Sequence, residues 1–454
     1  MIHLFKRAGF FLALDVGSGA VHVLDEPAYR LLESIDEAAL RSRDKKVVPA
    51  NLYDNFGQDT VDNCFDELLL LLNNDLLFSN DDYSEFSSEL GPAPVKAMCL
   101  HIAHDCNLRC RYCFASTGGF GGTRKLMPFE VAKKAIDMLI AASGDRRNLE
   151  VDFFGGEPLM NFEVVRQTVE YAKNIQDKHG KQFRFTLTTN GLGLNAENIV
   201  FINEEMGNVV LSLDGRRDVN DKMRPQVNGV GSYDIIVPRY QQLLAKRGNK
   251  EYYVRGTYTA HNLDFDNDVL ELYGLGFDQI SVEPVVGPET DSYAIQESDI
   301  PAIEHSYTRL METMIERKQQ GSGTFNFFHF MLDLDNGPCA IKRLKGCGSG
   351  NEYLAVTPDG ELYPCHQFVG NEHFKMGTVD TGVTQPQLMR QFADAHLLNK
   401  PTCQNCWAKY FCSGGCNANN HTFTGSIYEP HHLSCELEKI RLECAIAIQA
   451  ANLV

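Results

Sequence analysis

Between residues 97 and 320 the chain alternates two hydrophobic patterns. Short runs rich in β-branched and aromatic residues predict strands at Met98–His104, Leu149–Phe154, Phe183–Thr189, Val209–Leu213, Tyr252–Thr259 and Gln279–Glu283. Between them, apolar residues three and four apart predict helices, among them Pro128–Ala142, Phe162–Lys178 and Ile300–Lys318. Repeated strand–helix units imply a parallel sheet, because parallel neighbours need a crossover connection. The expected fold class is α/β, with the loops after the strands forming the site.

Ahead of this region the pattern changes. The opening MIHLFKRAGFFLALDVGSG imitates a signal peptide, but its apolar run is short and leads into Asp15, so a strand is expected. From Phe10 to Leu24 alternating runs flank Gly17-Ser18-Gly19 and predict a β-hairpin. Pro27 opens a helical pattern through Tyr29, Leu31, Leu32 and Ile35, and Val61–Leu77 predicts a second helix around five leucines at 68–72. An acidic, Ser-rich linker follows from Ser79 to Pro94. Hairpin plus helices predicts a small separate domain over residues 1–90, with a winged helix-turn-helix as its expected shape. That segment holds seven Lys/Arg against seventeen Asp/Glu, a net of −10, which counts against reading duplex DNA.

The whole chain repeats this bias. Its 454 residues include 42 Lys/Arg and 60 Asp/Glu, a formal charge of −18 that speaks against nucleic acid as a partner. No run of about 18 apolar residues occurs, so no membrane span is expected. Fourteen cysteines without an export signal favour metal or cluster binding over disulfides, in a reducing cytoplasmic setting low in oxygen.

Three of these cysteines stand in HDCNLRCRYCFA. Cys106, Cys110 and Cys113 have CxxxCxxC spacing, with Tyr112 before the last. Three thiolates on one loop suit an iron–sulfur cluster; a four-iron cluster needs four ligands, so one iron stays open to substrate. Structural zinc loops usually pair two CxxC motifs, which this stretch lacks. Three buried thiols would be the purely structural alternative. One strand–helix unit later stands Gly155-Gly156-Glu157-Pro158, then Thr189-Asn190-Gly191 and Ser212-Leu213-Asp214-Gly215, each at a strand end. Each alone reads as a turn.

In this order the motifs resemble the radical S-adenosylmethionine (SAM) enzymes, and the six units match that family's partial (β/α)6 barrel over residues 95–320. The resemblance implies that Cys106, Cys110 and Cys113 hold a 4Fe-4S cluster whose open iron is chelated by SAM. It implies that Gly155, Gly156 and Glu157 hold the SAM amino group. Tyr112, Asn190, Ser212 and Asp214 would face SAM, with Ser212 on the ribose, and Arg224 would partner the SAM carboxylate. Glu283 is expected in the pocket.

The last third groups eight more cysteines: Cys339, Cys347, Cys365, Cys403, Cys406, Cys412, Cys416 and Cys435. Eight ligands suit two four-ligand clusters, and spacing alone leaves a zinc ribbon equally open. The pattern resembles the SPASM extension of radical SAM enzymes, expected over residues 335–454. Carrying its ligation over, Cys347, Cys365 and Cys416 hold one auxiliary 4Fe-4S cluster and Cys403, Cys406, Cys412 and Cys435 the other. Whether Cys339 joins the first set is open; without it that cluster keeps an open iron. Cys64, Cys99 and Cys444 are expected in hydrophobic packing.

The full arrangement resembles the maturases of six-cysteine (SCIFF) peptides, which join a cysteine sulfur to a carbon of another residue in a ribosomally made precursor. The resemblance implies a leader peptide bound by the front domain as an added strand, and an electron donor of flavodoxin or ferredoxin type. The nearest rival is an anaerobic sulfatase-maturing enzyme, whose family carries an Asp base just after the cysteine matching Cys365; here His366 stands instead, read as structural. A rival of another class is a non-enzymatic iron–sulfur electron carrier, disfavoured because a carrier needs no open iron.

Overall fold

The structure, a computed structural model, describes residues 1–334 and 339–453; the expected limits at 335 and 454 lie outside these. Strands β1 (Ile2–Arg7), β2 (Phe10–Asp15) and β3 (Val21–Leu24) form an antiparallel sheet in that order. Strand β4 (Ala97–His104), with the two-residue β5 (Lys125–Leu126) at its end, opens the large sheet. Strands β6 (Asn148–Gly155), β7 (Gln182–Thr189), β8 (Asn208–Ser212), β9 (Glu251–Tyr258) and β10 (Gln279–Pro284) follow in parallel, with the short β11 (Asn326–Phe327) at the far edge. Each predicted strand is present, with ends shifted by a residue or so.

Register explains why the sheet has two different faces. Leu100, Phe153, Leu187, Val209 and Tyr252 form one continuous row across five strands. Side chains alternate along a strand, so this row faces outward onto the helices. The helix Phe162–Gln176 meets it with Val164, Val165, Thr168, Val169 and Ala172, and Phe129–Ala142 with Ala132, Ala135, Ile136 and Leu139. The neighbouring row Cys99, Asp152, Thr186 and Asn208 faces the barrel interior and is polar beyond Cys99.

Sequence patterning left the short strands β5 and β11 and every strand after residue 350 unread. β12 (Tyr353–Val356) pairs in parallel with β4 on the side opposite β6, placing Leu354 beside Met98 and Val356 beside Leu100. It turns into β13 (Glu361–Tyr363), followed by β14 (Gly377–Thr378) and β15 (Gly382–Val383), all antiparallel. The cysteine-rich segment therefore continues the barrel sheet itself.

The front sheet is small and carries helices on one face, as a winged-helix-like unit does. Its other face is not free. Ala13 packs with Leu31, Leu52, Phe65 and Leu68 in a local core, while Phe5, Leu12 and Leu14 join the main core with Leu437, Ile440 and Cys444. Both faces are buried, which the unbroken apolar run FFLAL requires. Arg7 donates to Glu443 at 2.9 Å and to Glu304 at 2.6 Å, tying β1 to the helices His432–Ala451 and Ile300–Gln319. The His3 ring stacks on Trp407, centroids 3.8 Å apart. Among the described residues no helix is long and apolar enough to cross a membrane.

Arg7→Ala leaves the half-buried Glu443 without its cation, a loss on the order of 1–3 kcal/mol for a hydrogen bond to a charged group. Faster amide exchange across β1 and β2 is expected, with the helix Gln58–Asn73 unaffected; unchanged exchange would show that apolar packing alone docks the sheet. Burial works to raise the Glu443 pKa, but hydrogen bonds from His3 and Arg7 bring it below the ordinary value. A depressed carboxylate stabilises above its unfolded pKa, so this tie is complete at neutral pH and is lost on acidification through the glutamate range.

Candidate active site

The cluster loop begins where β4 ends. Asp105 pairs with Arg124 and accepts the Cys106 amide at 2.8 Å, turning the chain out of the sheet. The loop is then held by backbone: Arg111 donates to the Met223 carbonyl and Arg109 to the Pro225 carbonyl, each at 2.8 Å. Cys106, Cys110 and Cys113 line one cavity, together with Gly155, Gly156, Glu157, Asn190, Ser212 and Arg224. Strand ends β4, β6, β7 and β8 thus supply it, as barrel topology predicts.

The two glycines of GGEP answer to the cluster loop. Gly155 has φ +115°, and a side chain there would come within 2.4 Å of the Ala103 carbonyl oxygen; one on Gly156 would come within 2.1 Å of the Asp105 oxygen. The Gly156 and Glu157 amides donate to those same carbonyls at 2.7 and 2.9 Å. Glu157 is 1% exposed; its carboxylate accepts from Thr189 Oγ1 at 2.7 Å, the Asn190 amide at 2.8 Å and the Leu159 amide at 3.0 Å. It braces β6 to β7 at the cavity wall. Burial raises its pKa, and the hydrogen bonds oppose that.

On the opposite wall Tyr112, Arg224 and Asp214 form a buried relay. Tyr112 Oη donates to Asp214 at 2.7 Å and accepts from Arg224 Nη1 at 2.9 Å. Asp214 also accepts the Thr257 amide at 3.1 Å, and reaches the cavity only through these two partners. Burial lifts its pKa to about 6 against the pull of Arg224. Arg224 Nε is buried and has no hydrogen-bond partner among the described residues. An orphaned guanidinium donor at a cavity wall suits an anionic oxygen of a ligand. Asn190 donates to Cys106 Sγ at 3.5 Å and to Asn107 at 2.8 Å.

Donor chemistry fits an iron cluster here. Burial pushes the Cys110 thiol up to about 11 and that of Cys106 up to about 12, so free thiols would stay protonated. Coordination to iron reverses that balance and makes the thiolate the stable form.

The C-terminal cysteines fall into two neighbourhoods. Cys365 sits after β13 near Cys416 and Cys347, whose charges raise its pKa further after burial has done so. Cys412 is pushed up to about 11 by burial and by Cys435 and Cys403, and Cys435 feels Cys406. Cys339 is exposed at the start of the helix Ala340–Lys345. Cys64, Cys99 and Cys444 are buried. Among the described residues no three Cys, His, Asp or Glu side chains converge on a single metal ion.

Some functional positions escaped the sequence reading. Tyr240 lies under the third strand's end, donating to the Ser212 carbonyl at 3.0 Å. Phe114 and Phe154 wall the cavity, and the His366 ring packs against both at 5.4 and 5.0 Å. Burial, reinforced by Arg255, lowers the His366 pKa to about 4, so it is neutral near pH 7. Glu283 pairs with Arg255 on β10 and β9 and does not line the cavity itself.

Tyr112→Phe removes the hydroxyl shared by Asp214 and Arg224. It should weaken SAM binding about tenfold, the scale of one charge-assisted hydrogen bond, with iron content unchanged. Calorimetric titration of SAM into reconstituted protein checks this; wild-type affinity would show that the relay does not hold Arg224 in place.

Comparison with known proteins bears on the same region. The family model of the radical SAM superfamily matches residues 100–279, and that of the SPASM iron–sulfur cluster-binding domain matches residues 347–407. A cysteine-type anaerobic sulfatase-maturating enzyme of Clostridium novyi is 25% identical, over 69% of this chain and 86% of its own. The fold is shared with native anSMEcpe with bound AdoMet, at TM-score 0.66 and 18% identity over 79% of this chain and 99% of that one. It is also shared with Streptococcus suis SuiB bound to precursor peptide SuiA, at TM-score 0.55 and 16% identity over 96% of this chain and 98% of that one. The chain thus carries a radical SAM domain on the barrel and a SPASM domain on the sheet that continues it.

Proposed function

We propose that the protein is a peptide maturase of the six-cysteine (SCIFF) type, forming a thioether between a cysteine sulfur and a carbon of a ribosomally made, cysteine-rich precursor. One observation carries this reading: the aromatic wall of the SAM cavity is continuous with the residue after Cys365. Phe114 and Phe154 line the cavity, and His366 packs on both. A substrate held there touches the radical site and the first auxiliary cysteine group at once.

With its cluster and SAM bound, the site supplies a 5′-deoxyadenosyl radical able to take a carbon-bound hydrogen. The protein's own residues do the positioning. Arg224 offers its unpaired Nε to a carboxylate, with Tyr112 and Asp214 fixing the guanidinium. Phe114 and Phe154 give the pocket an aromatic wall beside the reacting atoms. Over the reaction the peptide gains a carbon–sulfur bond; its carbon-bound hydrogen would leave as an atom to the deoxyadenosyl radical, its thiol hydrogen as a proton to solvent, and the remaining electron would be taken up by the auxiliary iron–sulfur centre that the C-terminal cysteines would hold. The leader adds to the free edge of β3, where Val23 is exposed. The likeness to Streptococcus suis SuiB bound to precursor peptide SuiA, over 96% of this chain, supports a peptide as partner. A flavodoxin- or ferredoxin-type donor in the cytoplasm supplies electrons.

The sulfatase-maturing alternative draws on the Clostridium novyi relative. Against it stands His366, neutral and packed in aromatics where that family places an Asp base.

Anaerobically reconstituted protein with SAM and a strong reductant should form 5′-deoxyadenosine and carry about twelve irons, four for each of three clusters. A cysteine-rich precursor should lose two hydrogens by mass; conversion of a cysteine to an aldehyde instead would favour the sulfatase-maturing reading. Full iron without deoxyadenosine would leave only the electron carrier. Cys110→Ala should abolish SAM cleavage, whereas Cys412→Ala should retain some cleavage and lose peptide modification.

A further inference from the structure

Lysine is rarely found fully buried, and then it is paired. Lys400 is 0% exposed and stands at the start of the short helix carrying Cys403. Its ammonium donates to the Gly414 carbonyl at 2.8 Å and to Asn417 Oδ1 at 3.0 Å. Gly414 lies between Cys412 and Cys416, and Asn417 follows Cys416 directly. Asn417 in turn donates to Ser349 Oγ at 3.4 Å, two residues from Cys347. The ammonium therefore sits between the two auxiliary cysteine groups.

Two features of this placement ask for an anion. No carboxylate lies within salt-bridge distance of Lys400 among the described residues, although an unpaired ammonium is costly to bury. An ammonium also has three donors, and the protein acceptors above take two. Burial lowers the Lys400 pKa, and the charges that oppose this come from Cys403 and Cys412 on one side and Cys416 and Cys347 on the other. A cluster held by several thiolates is a net anion, and its charge is a main determinant of its potential.

We propose that Lys400 is a positioning cation shared by the two auxiliary clusters, whose fixed charge raises the reduction potentials of both. One-electron reduction adds one negative charge to a cluster, and a nearby buried ammonium favours that state. The proposal rests on reading the C-terminal cysteines as ligands of two clusters.

The test is a redox titration followed by electron paramagnetic resonance, on full-length reconstituted protein poised with dithionite. Lys400→Met keeps the side chain's length and removes its charge, and Lys400→Arg keeps the charge. Lys400→Met should move both auxiliary potentials to more negative values, and Lys400→Arg should leave them near wild type. Unchanged potentials in Lys400→Met would overturn the proposal, and so would an equal shift in Lys400→Arg, which would assign the effect to packing. Loss of iron from Lys400→Met with full loading of Lys400→Arg would also overturn it, leaving the residue a structural role. Wild-type protein holding only the four irons of the SAM cluster would overturn the two-cluster reading itself, and Lys400's role with it.

Discussion

The radical site depends on the contact between two backbones. The turn after β6 lies against the cluster loop so closely that Gly155 and Gly156 have no space for a Cβ, and their neighbours' amides saturate the Ala103 and Asp105 carbonyls. From the other side, Arg109 and Arg111 are held by carbonyls of the 223–225 segment. Backbone contacts of this kind do not depend on side-chain rotamers, so the loop that carries the three half-buried cysteines is held by the fold itself. The surrounding cavity inherits that order: Glu157 braces the next strand, and Arg224 is aimed by Tyr112.

Charge is distributed by the same logic of burial. The barrel interior is polar, but its buried ionic groups are paired or relayed, as with Asp214 under Tyr112 and Arg224. The front sheet is joined to the body by Arg7 and by the His3–Trp407 stack, and Trp407 directly follows Cys406. A peptide added to that sheet would thus press on an element whose other face reaches the second auxiliary cysteine group.

Much of this was legible in the chain because it is local. Strand runs such as Phe183–Thr189 carry their alternation within a few residues, and CxxxCxxC with GGEP states its chemistry by spacing. What escaped reading is non-local or made of backbone. β12 has an ordinary strand pattern, and only its register against β4, across some 250 residues of chain, makes it part of the barrel. The carbonyls of Met223 and Pro225 leave no side-chain trace. Lys400 reads in sequence as one more surface lysine. The double burial of β2 did leave a signal, since FFLAL lacks the polar alternation of a half-exposed strand.

Under the proposed function, the joining of β12 to β4 bears on electron movement between the SAM site and the auxiliary site. Tunnelling between redox centres falls off exponentially with their separation, so a flexible tether between them would make transfer intermittent. Here the strand that ends in the cluster loop pairs with β12, which turns into β13 and so into Cys365, all in one hydrogen-bonded sheet. The spacing of the two sites is then a property of the sheet, set by its register.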